Sequence, residues 1–222
     1  MNKHQLILSL FPNVIKDSLT KLHKRMIMYI LTKYLTAETK TNEQHSFRFN
    51  DKKEGEHKIW FETGQLHVHC FFKNDVCHGE YKMFLRNEQL LEHSFYRNGK
   101  REGAYMSWYY NGQQCTHSFY QNDKLHGEFK QWHIHNHLSS HCFYQNDKLH
   151  GEVRQWHINN QLSLHCFYQN NNKEGEYRTW YRNGKSCVRC YYRNGVRRGI
   201  YERWRENGQL EVCHIKWNME IN

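Results

Sequence analysis

The chain predicts a mainly β protein: an elongated single-layer meander of stacked β-hairpins with an N-terminal α-helical cap. Three observations carry this. Seven glycines, Gly55, Gly79, Gly103, Gly127, Gly151, Gly175 and Gly199, recur every 24 residues, and a strict period of this size marks an array of small units. Each unit holds two turn signals, separated by short runs rich in Trp, Tyr and Phe, the residues that favour strands. Hydrophobic residues make up only 38% of the 222 residues while aromatics reach 15%. That balance suits a thin sheet held by stacked rings rather than a thick two-layer core.

Residues 1–44 do not repeat. Val14, Ile15, Leu19, Leu22, Met26, Ile30 and Tyr34 fall at helical spacing, and Pro12 suits a helix start. One main helix is expected over about residues 13–36, with a shorter apolar helix before it and a polar linker over Thr36–Gln44. This amphipathic segment is a natural cap for the first sheet edge. The apolar run Leu6–Phe11 is too short for a secretory signal and lacks a small-residue cleavage site. No apolar run is long enough for a transmembrane helix, so the expected location is intracellular and cytoplasmic.

The array fills residues 45–222 and begins mid-unit: His45-Ser46-Phe47 and Asn50-Asp51 match His117-Ser118-Phe119 and Asn122-Asp123. Five residues after each anchor glycine stands an aromatic, in order Trp60, Phe84, Trp108, Trp132, Trp156, Trp180 and Trp204. Turn residues follow, most clearly Asn111-Gly112, Asn183-Gly184 and Asn207-Gly208. Asparagine then recurs nineteen residues after the glycine, from Asn74 to Asn218. Asn-Gly and Asn-Asp suit positions that need φ > 0, which gives one hairpin per repeat. At about 4.8 Å per strand the array would extend ~65–70 Å. Asn87-Glu88, His135-Asn136 and Asn159-Asn160 lack the turn glycine, so altered or costlier turns are expected there.

The unit Gly-Glu-Tyr-x-x-Trp-Tyr-x-Asn-Gly, then an aromatic pair, Asn-Gly or Asn-Asp and the next anchor glycine, is clearest over residues 175–199. It resembles the MORN-type repeat, in the variant found in bacterial antitoxin-like repeat proteins and in large DNA viruses of amoebae. The resemblance covers about residues 45–218. It implies a non-enzymatic module for protein interaction or membrane association, with an antitoxin-like role as a further alternative. Phe11-Pro12 followed by an apolar helical stripe is also similar to a degenerate F-box, which would make residues 1–44 a ubiquitin-ligase adaptor.

Phe71, Phe95, Phe119, Phe143 and Phe167 are each followed by a second aromatic, so strand alternation sets an aromatic row on each face. Twist and the tryptophan row are expected to cover the phenylalanine side and leave the tyrosine side partly open. Tyr96, Tyr120, Tyr144, Tyr168 and Tyr192 are therefore the candidate protein-binding stripe, because tyrosine joins a rigid apolar body to a polar tip. The competing expectation is that these rings pack between adjacent hairpins.

The net charge is +10, and Arg178, Arg182, Lys185, Arg189, Arg193, Arg197, Arg198, Arg203 and Arg205 crowd the last repeats. Such a cluster is the candidate site for an anionic membrane surface, and otherwise a solvated, solubilising face. Nucleic acid is a poorer match, because the aromatics follow the structural period and the basic cluster lies at one end.

Catalysis, metals and cofactors are not expected. Glu56, Glu80, Glu128, Glu152 and Glu176 repeat too regularly for a unique catalytic pair; cross-strand pairing with Lys or Arg is the simpler role. The row His69, His93, His117, His141 and His165 is spaced at about 10 Å, too wide for one zinc site. His133, His135 and His137 surround a turn and offer only an adventitious site. Cys70, Cys142, Cys166 and Cys190 share one repeat position. Neighbours about 10 Å apart cannot reach the roughly 7 Å that a disulfide tolerates, so free thiols in a reducing compartment are expected. The partner itself and the oligomeric state are not written in these residues.

Overall fold

The computed structural model describes residues 45–216; segment 1–44, with its expected helix and F-box-like stripe, and Asn218 lie outside the described residues. The strands are β1 (His45–Phe49), β2 (Lys52–Trp60), β3 (Leu66–Lys73), β4 (Val76–Phe84), β5 (Leu90–Arg97), β6 (Lys100–Trp108), β7 (Gln114–Gln121) and β8 (Lys124–Trp132). They continue as β9 (Leu138–Gln145), β10 (Lys148–Trp156), β11 (Leu162–Gln169), β12 (Asn172–Trp180), β13 (Ser186–Arg193), β14 (Val196–Trp204) and β15 (Leu210–Lys216). All fifteen form one antiparallel sheet in strict sequence order, the meander that the 24-residue period predicts.

Two kinds of turn alternate along its edges. Every even strand after β2 is entered through a two-residue turn with both central residues left-handed, as at Asn74-Asp75 (φ 52 and 66) and Asn98-Gly99 (φ 52 and 78). This is the turn whose twist matches paired strands, and asparagine followed by Gly, Asp or Asn tolerates it. These tips also fasten to the preceding repeat. Asp147 donates its N–H to the Leu125 carbonyl at 2.9 Å and accepts the Leu125 N–H on Oδ1 at 2.7 Å. The Asn122 N–H reaches Glu102 Oε2 at 2.8 Å, as Asn74 reaches Glu54 and Asn194 reaches Glu174.

The opposite edge carries five-residue turns. In the regular form the Tyr109 N–H bonds the Gln113 carbonyl and the Gly112 N–H bonds the Tyr109 carbonyl. The same two bonds recur over Leu85–Gln89, His133–His137 and His157–Gln161. The three glycine-free turns are therefore not altered. Glu88, Asn136 and Asn160 adopt the left-handed conformation themselves, at φ 63, 64 and 66. Asparagine does this readily, whereas glutamate bears the full left-handed cost.

The anchor glycines mark a bulge toward the preceding strand. Cys70 faces Tyr81 and Phe72 faces Cys77, so two positions on β3 oppose four on β4, and the same shift recurs at Ser94/Tyr96 and Ser118/Tyr120. Gly79 turns this corner at φ 104, with its missing Cβ aimed at the Phe71 Cβ, 3.6 Å away. A left-handed bulge is a glycine position, and its recurrence explains the invariant 24-residue spacing.

One row of side chains crosses the sheet and forms the core. Cys70, Ser94, Ser118, Cys142, Cys166 and Cys190 on the odd strands are buried, and His57 and Val153 join them from even strands. The register sets these small groups opposite large ones: Ser94 between Tyr81 and Tyr105, Cys142 between Phe129 and Val153. All eight cysteines are free.

Two substitutions test the turn and bulge assignments. Gly79→Ala is expected to lower stability by about 1–3 kcal/mol through backbone strain. Glu88→Gly is expected to raise it by about 1 kcal/mol. Urea melts of the full chain read both signs.

Candidate functional site

Residue alternation divides the sheet into two unlike faces. The tyrosines Tyr96, Tyr120, Tyr144, Tyr168 and Tyr192 stand two residues beyond the buried Cys/Ser positions and share their face. Tyr81 meets Tyr96 edge-on at 5.8 Å, Tyr105 meets Tyr120 at 5.8 Å, Phe129 meets Tyr144 at 5.7 Å and Tyr177 meets Tyr192 at 5.7 Å. Tyr168 packs on the Cys142–Val153–Cys166 cluster. Cationic side chains then roof several rings, with Arg101 4.0 Å from the centre of Tyr120, Lys173 over Tyr177 and Tyr192, and Arg197 over Tyr201. Burial pushes the Tyr96, Tyr168 and Tyr192 hydroxyls above their ordinary pKa, and that of Tyr144 up to about 12.

The phenylalanine face is the open one, which reverses the expected order of exposure. Phe119, Phe167 and Tyr191 keep 36%, 39% and 40% of their surface in solvent, and none of the five stripe tyrosines reaches that class. The reason lies in the even strands. Tyr81, Tyr105, Phe129 and Tyr177, two residues after the anchor glycines, stand beside the tyrosine row and close it. No such column stands beside the phenylalanines. There the cross-strand partners are glutamates: Glu56 faces Phe71, Glu80 faces Phe95, Glu128 faces Phe143 and Glu152 faces Phe167.

Those glutamates build a ladder of charge between the rings. Glu80 accepts from Lys82 on its own strand at 2.8 Å and from His93 on the next at 2.8 Å. Glu56 pairs with Lys58 and His69, Glu128 with Lys130 and His141, Glu152 with Arg154 and His165. In these four the cation sits on the glutamate's own strand and the cross-strand partner is histidine; the cross-strand Lys or Arg that the sequence suggests is found only at Glu176, as Arg189. Glu176 closes the series with Arg178, Arg189 and the Tyr191 hydroxyl. Each histidine also leans on its phenylalanine, as His93 on Phe95 at 5.0 Å and His117 on Phe119 at 5.0 Å. In the third repeat the ladder lapses, with Ala104 and Met106 where five other repeats have Glu and Lys or Arg, and the seventh has Ile200 and Glu202 there.

The nine basic candidates do not share one surface. Arg178 and Arg189 pair with Glu176 on the open face, and Arg203 and Arg205 pair with Glu211 near the last edge. Arg197 covers Tyr201 on the closed face, and the Lys185 ammonium bonds the Asn207 carbonyl on the turn rim. Arg198 is half-buried, whereas Arg182 and Arg193 are exposed at opposite rims. Among the described residues no three His, Cys, Asp or Glu side chains gather as a metal site, and His133 instead contacts the Trp156 carbonyl.

The family model of the MORN repeat variant matches residues 53–74 and 173–194, the first and sixth repeats of this array. These two units are MORN-type repeats. Both matched stretches begin two residues before an anchor glycine and end in the asparagine turn, so they coincide with the hairpin unit and its tip. No curated protein matches this chain. Among solved structures, a chain from the crystal structure of TarM is similar over 76% of this chain and 27% of its own, at 12% identity and a TM-score of 0.20. The chain thus spans about a quarter of that protein's length, and the score is too low for a shared fold.

Two measurements check the assignment of faces. Burial pushes the Cys70 and Cys166 thiols up to about 11, so a thiol reagent at neutral pH is expected to label exposed Cys213 first and the Cys70–Cys190 row only on unfolding. Hydrogen bonds and charge from Lys82 and Lys130 hold Glu80 and Glu128 below their ordinary 4.5. A folded pKa below the unfolded one contributes stability above about pH 4.5 and loses it as pH falls through the folded value. Urea midpoints are expected to drop between about pH 6 and about pH 3, and to drop less in the Glu80→Gln/Glu128→Gln variant.

Proposed function

We propose that this chain is a non-enzymatic repeat scaffold that holds a protein partner against the phenylalanine face of its sheet. The observation that supports it is the row of part-exposed rings, Phe119, Phe167 and Tyr191 foremost, set between regularly spaced Glu–His–Lys/Arg groups. A contact surface of this kind joins apolar anchors to charged neighbours that fix register. The ladder is not there for stability, since part-exposed pairs contribute at most about 1 kcal/mol each. Its repeat distance of about 10 Å instead gives a partner the same chemistry several times over. The tyrosine row serves the same scaffold from the other side as its packing layer.

An anionic membrane surface is the second reading. Arg182 and Arg193 are exposed, and no carboxylate pairs with either among the described residues, so these two carry the attraction. Binding to phosphatidylserine vesicles at low salt, lost at high salt, would favour it.

Affinity capture from native-host lysate with the full-length chain tests the scaffold reading. The Phe119→Ser/Phe167→Ser/Tyr191→Ser variant is expected to lose the captured protein while keeping its β circular dichroism and melting temperature. An unchanged partner set on that variant sinks the reading.

A further inference from the structure

The second repeat departs from the period at adjoining positions, and together they open a groove. Six repeats have tryptophan five residues after the anchor glycine; the second has Phe84. The next position is Tyr109, His133, His157 or Tyr181 in the third to sixth repeats, and each of these side chains contacts the following repeat's carbonyl, as the Tyr109 hydroxyl does to Trp132 at 2.7 Å. The first and second repeats have Phe61 and Leu85 there, which cannot make that bond. Leu91 takes a position held by Cys115, Ser139, Ser163 and Cys187 in the four units that follow. An open groove of about 560 Å³ results, lined by Phe61, His67, Phe84, Leu85, Leu91 and Tyr110, with Arg86 beside them. Tyr110 stands 78% exposed at its wall.

Arg86 gives the groove a charge preference. Its guanidinium lies over the Phe61 ring, 5.1 Å from the centroid, and no carboxylate pairs with it among the described residues. Arg101, Arg154, Arg178, Arg189, Arg203 and Arg205 all have one. A guanidinium held over a ring by a cation–π contact still has N–H groups to offer a planar bidentate acceptor. Tyr and Arg around an apolar hollow are also the composition of an interface hot spot.

We propose that this groove binds a protein segment that inserts one bulky apolar side chain and sets a carboxylate on Arg86. The inference rests on the scaffold reading and names where on the array, and by what chemistry, one partner contact is made. Glutamates at 62 and 88 flank the turn without lining the groove. The carboxylate therefore has to sit directly over Arg86, and a diffuse acidic surface would not serve.

The test is fluorescence anisotropy with a fluorescein-labelled peptide, Glu-Glu-Leu-Phe-Glu-Glu, and its Lys-for-Glu counterpart, titrated with the full chain. Binding of the acidic peptide only is expected. Leu85→Ser and Tyr110→Ser should each weaken it about tenfold or more, and Arg86→Glu should shift the preference to the lysine peptide. Because Arg86 is exposed, that variant keeps the test valid even if Leu85→Ser unfolds the repeat. Gln155→Ser, at an exposed position of another repeat, should leave binding unchanged. Absence of acidic-peptide binding overturns the groove and leaves the phenylalanine-face reading to its own capture experiment. Loss on Phe119→Ser but not on Arg86→Glu moves the contact to the open face and also overturns it. Displacement by a peptide of residues 1–44, by oleate, or by self-association in sedimentation would assign the groove to the chain itself, a lipid or a second copy, each against the proposal.

Discussion

A sheet one layer thick has no second layer to bury it, and that constraint governs the rest of this molecule. Each strand has only its two neighbours to cover its side chains, so apolar area must be removed from water within one face. The chain does this by setting a small residue on each odd strand between large ones on the even strands. Ser118 lies between Tyr105 and Phe129, and Cys190 between Tyr177 and Tyr201. The small groups make room for the rings to lean across them, and the tyrosines one step further along the odd strands meet those same rings edge-on. Cations such as Arg101 lay their charged heads over what remains. A row of cysteine and serine is a core here because its neighbours are aromatic.

Closing one face in this way releases the other. The phenylalanine face takes no part in the central row, and its glutamates, histidines and cations satisfy one another at the surface. Repeat cohesion does not depend on it either. That comes from the strand ladder and from the locks at both turn edges, where Asp147 grips Leu125 and the Tyr181 hydroxyl reaches the Trp204 carbonyl. Side chains on the open face are thus free to vary with little cost to the fold. The third repeat does so with Ala104 and Met106, and the seventh with Ile200, in a row that is ionic in the other five.

Much of this was legible in the residues alone. Strand number, order and both turn positions follow from glycine and asparagine recurring at fixed offsets, because left-handed backbone admits few residue types. The polarity of the faces did not follow. Phe119 and Tyr120 alternate whichever side is covered, and the choice is made by Tyr105 and Phe129 on the flanking strands. That column, two residues past each anchor glycine, was visible in the sequence, but only its pairing with the Cys/Ser positions gives it meaning, and pairing depends on register. The partner of Glu80 was missed for the same reason. In the regular β4–β5 register Glu80 faces Phe95, and the diagonal neighbour His93 arrives at 2.8 Å. Glu88 shows the converse: the turn imposed its geometry on a residue that disfavours it.

In an array, the period records what the fold requires, and departures from it record what the fold does not require. Tryptophan at the fifth position and a polar tip at the sixth serve the joint between repeats, since Tyr109, His133, His157 and Tyr181 all reach a neighbouring carbonyl. Phe61, Phe84 and Leu85 give up that joint; His67 bonds the Phe84 carbonyl instead, and the Gln89 side chain bonds the Tyr109 carbonyl. An apolar hollow is left there beside the Arg86 guanidinium, which lies over Phe61 and pairs with no carboxylate among the described residues. These particular departures adjoin on one rim, where side chains from three consecutive repeats meet.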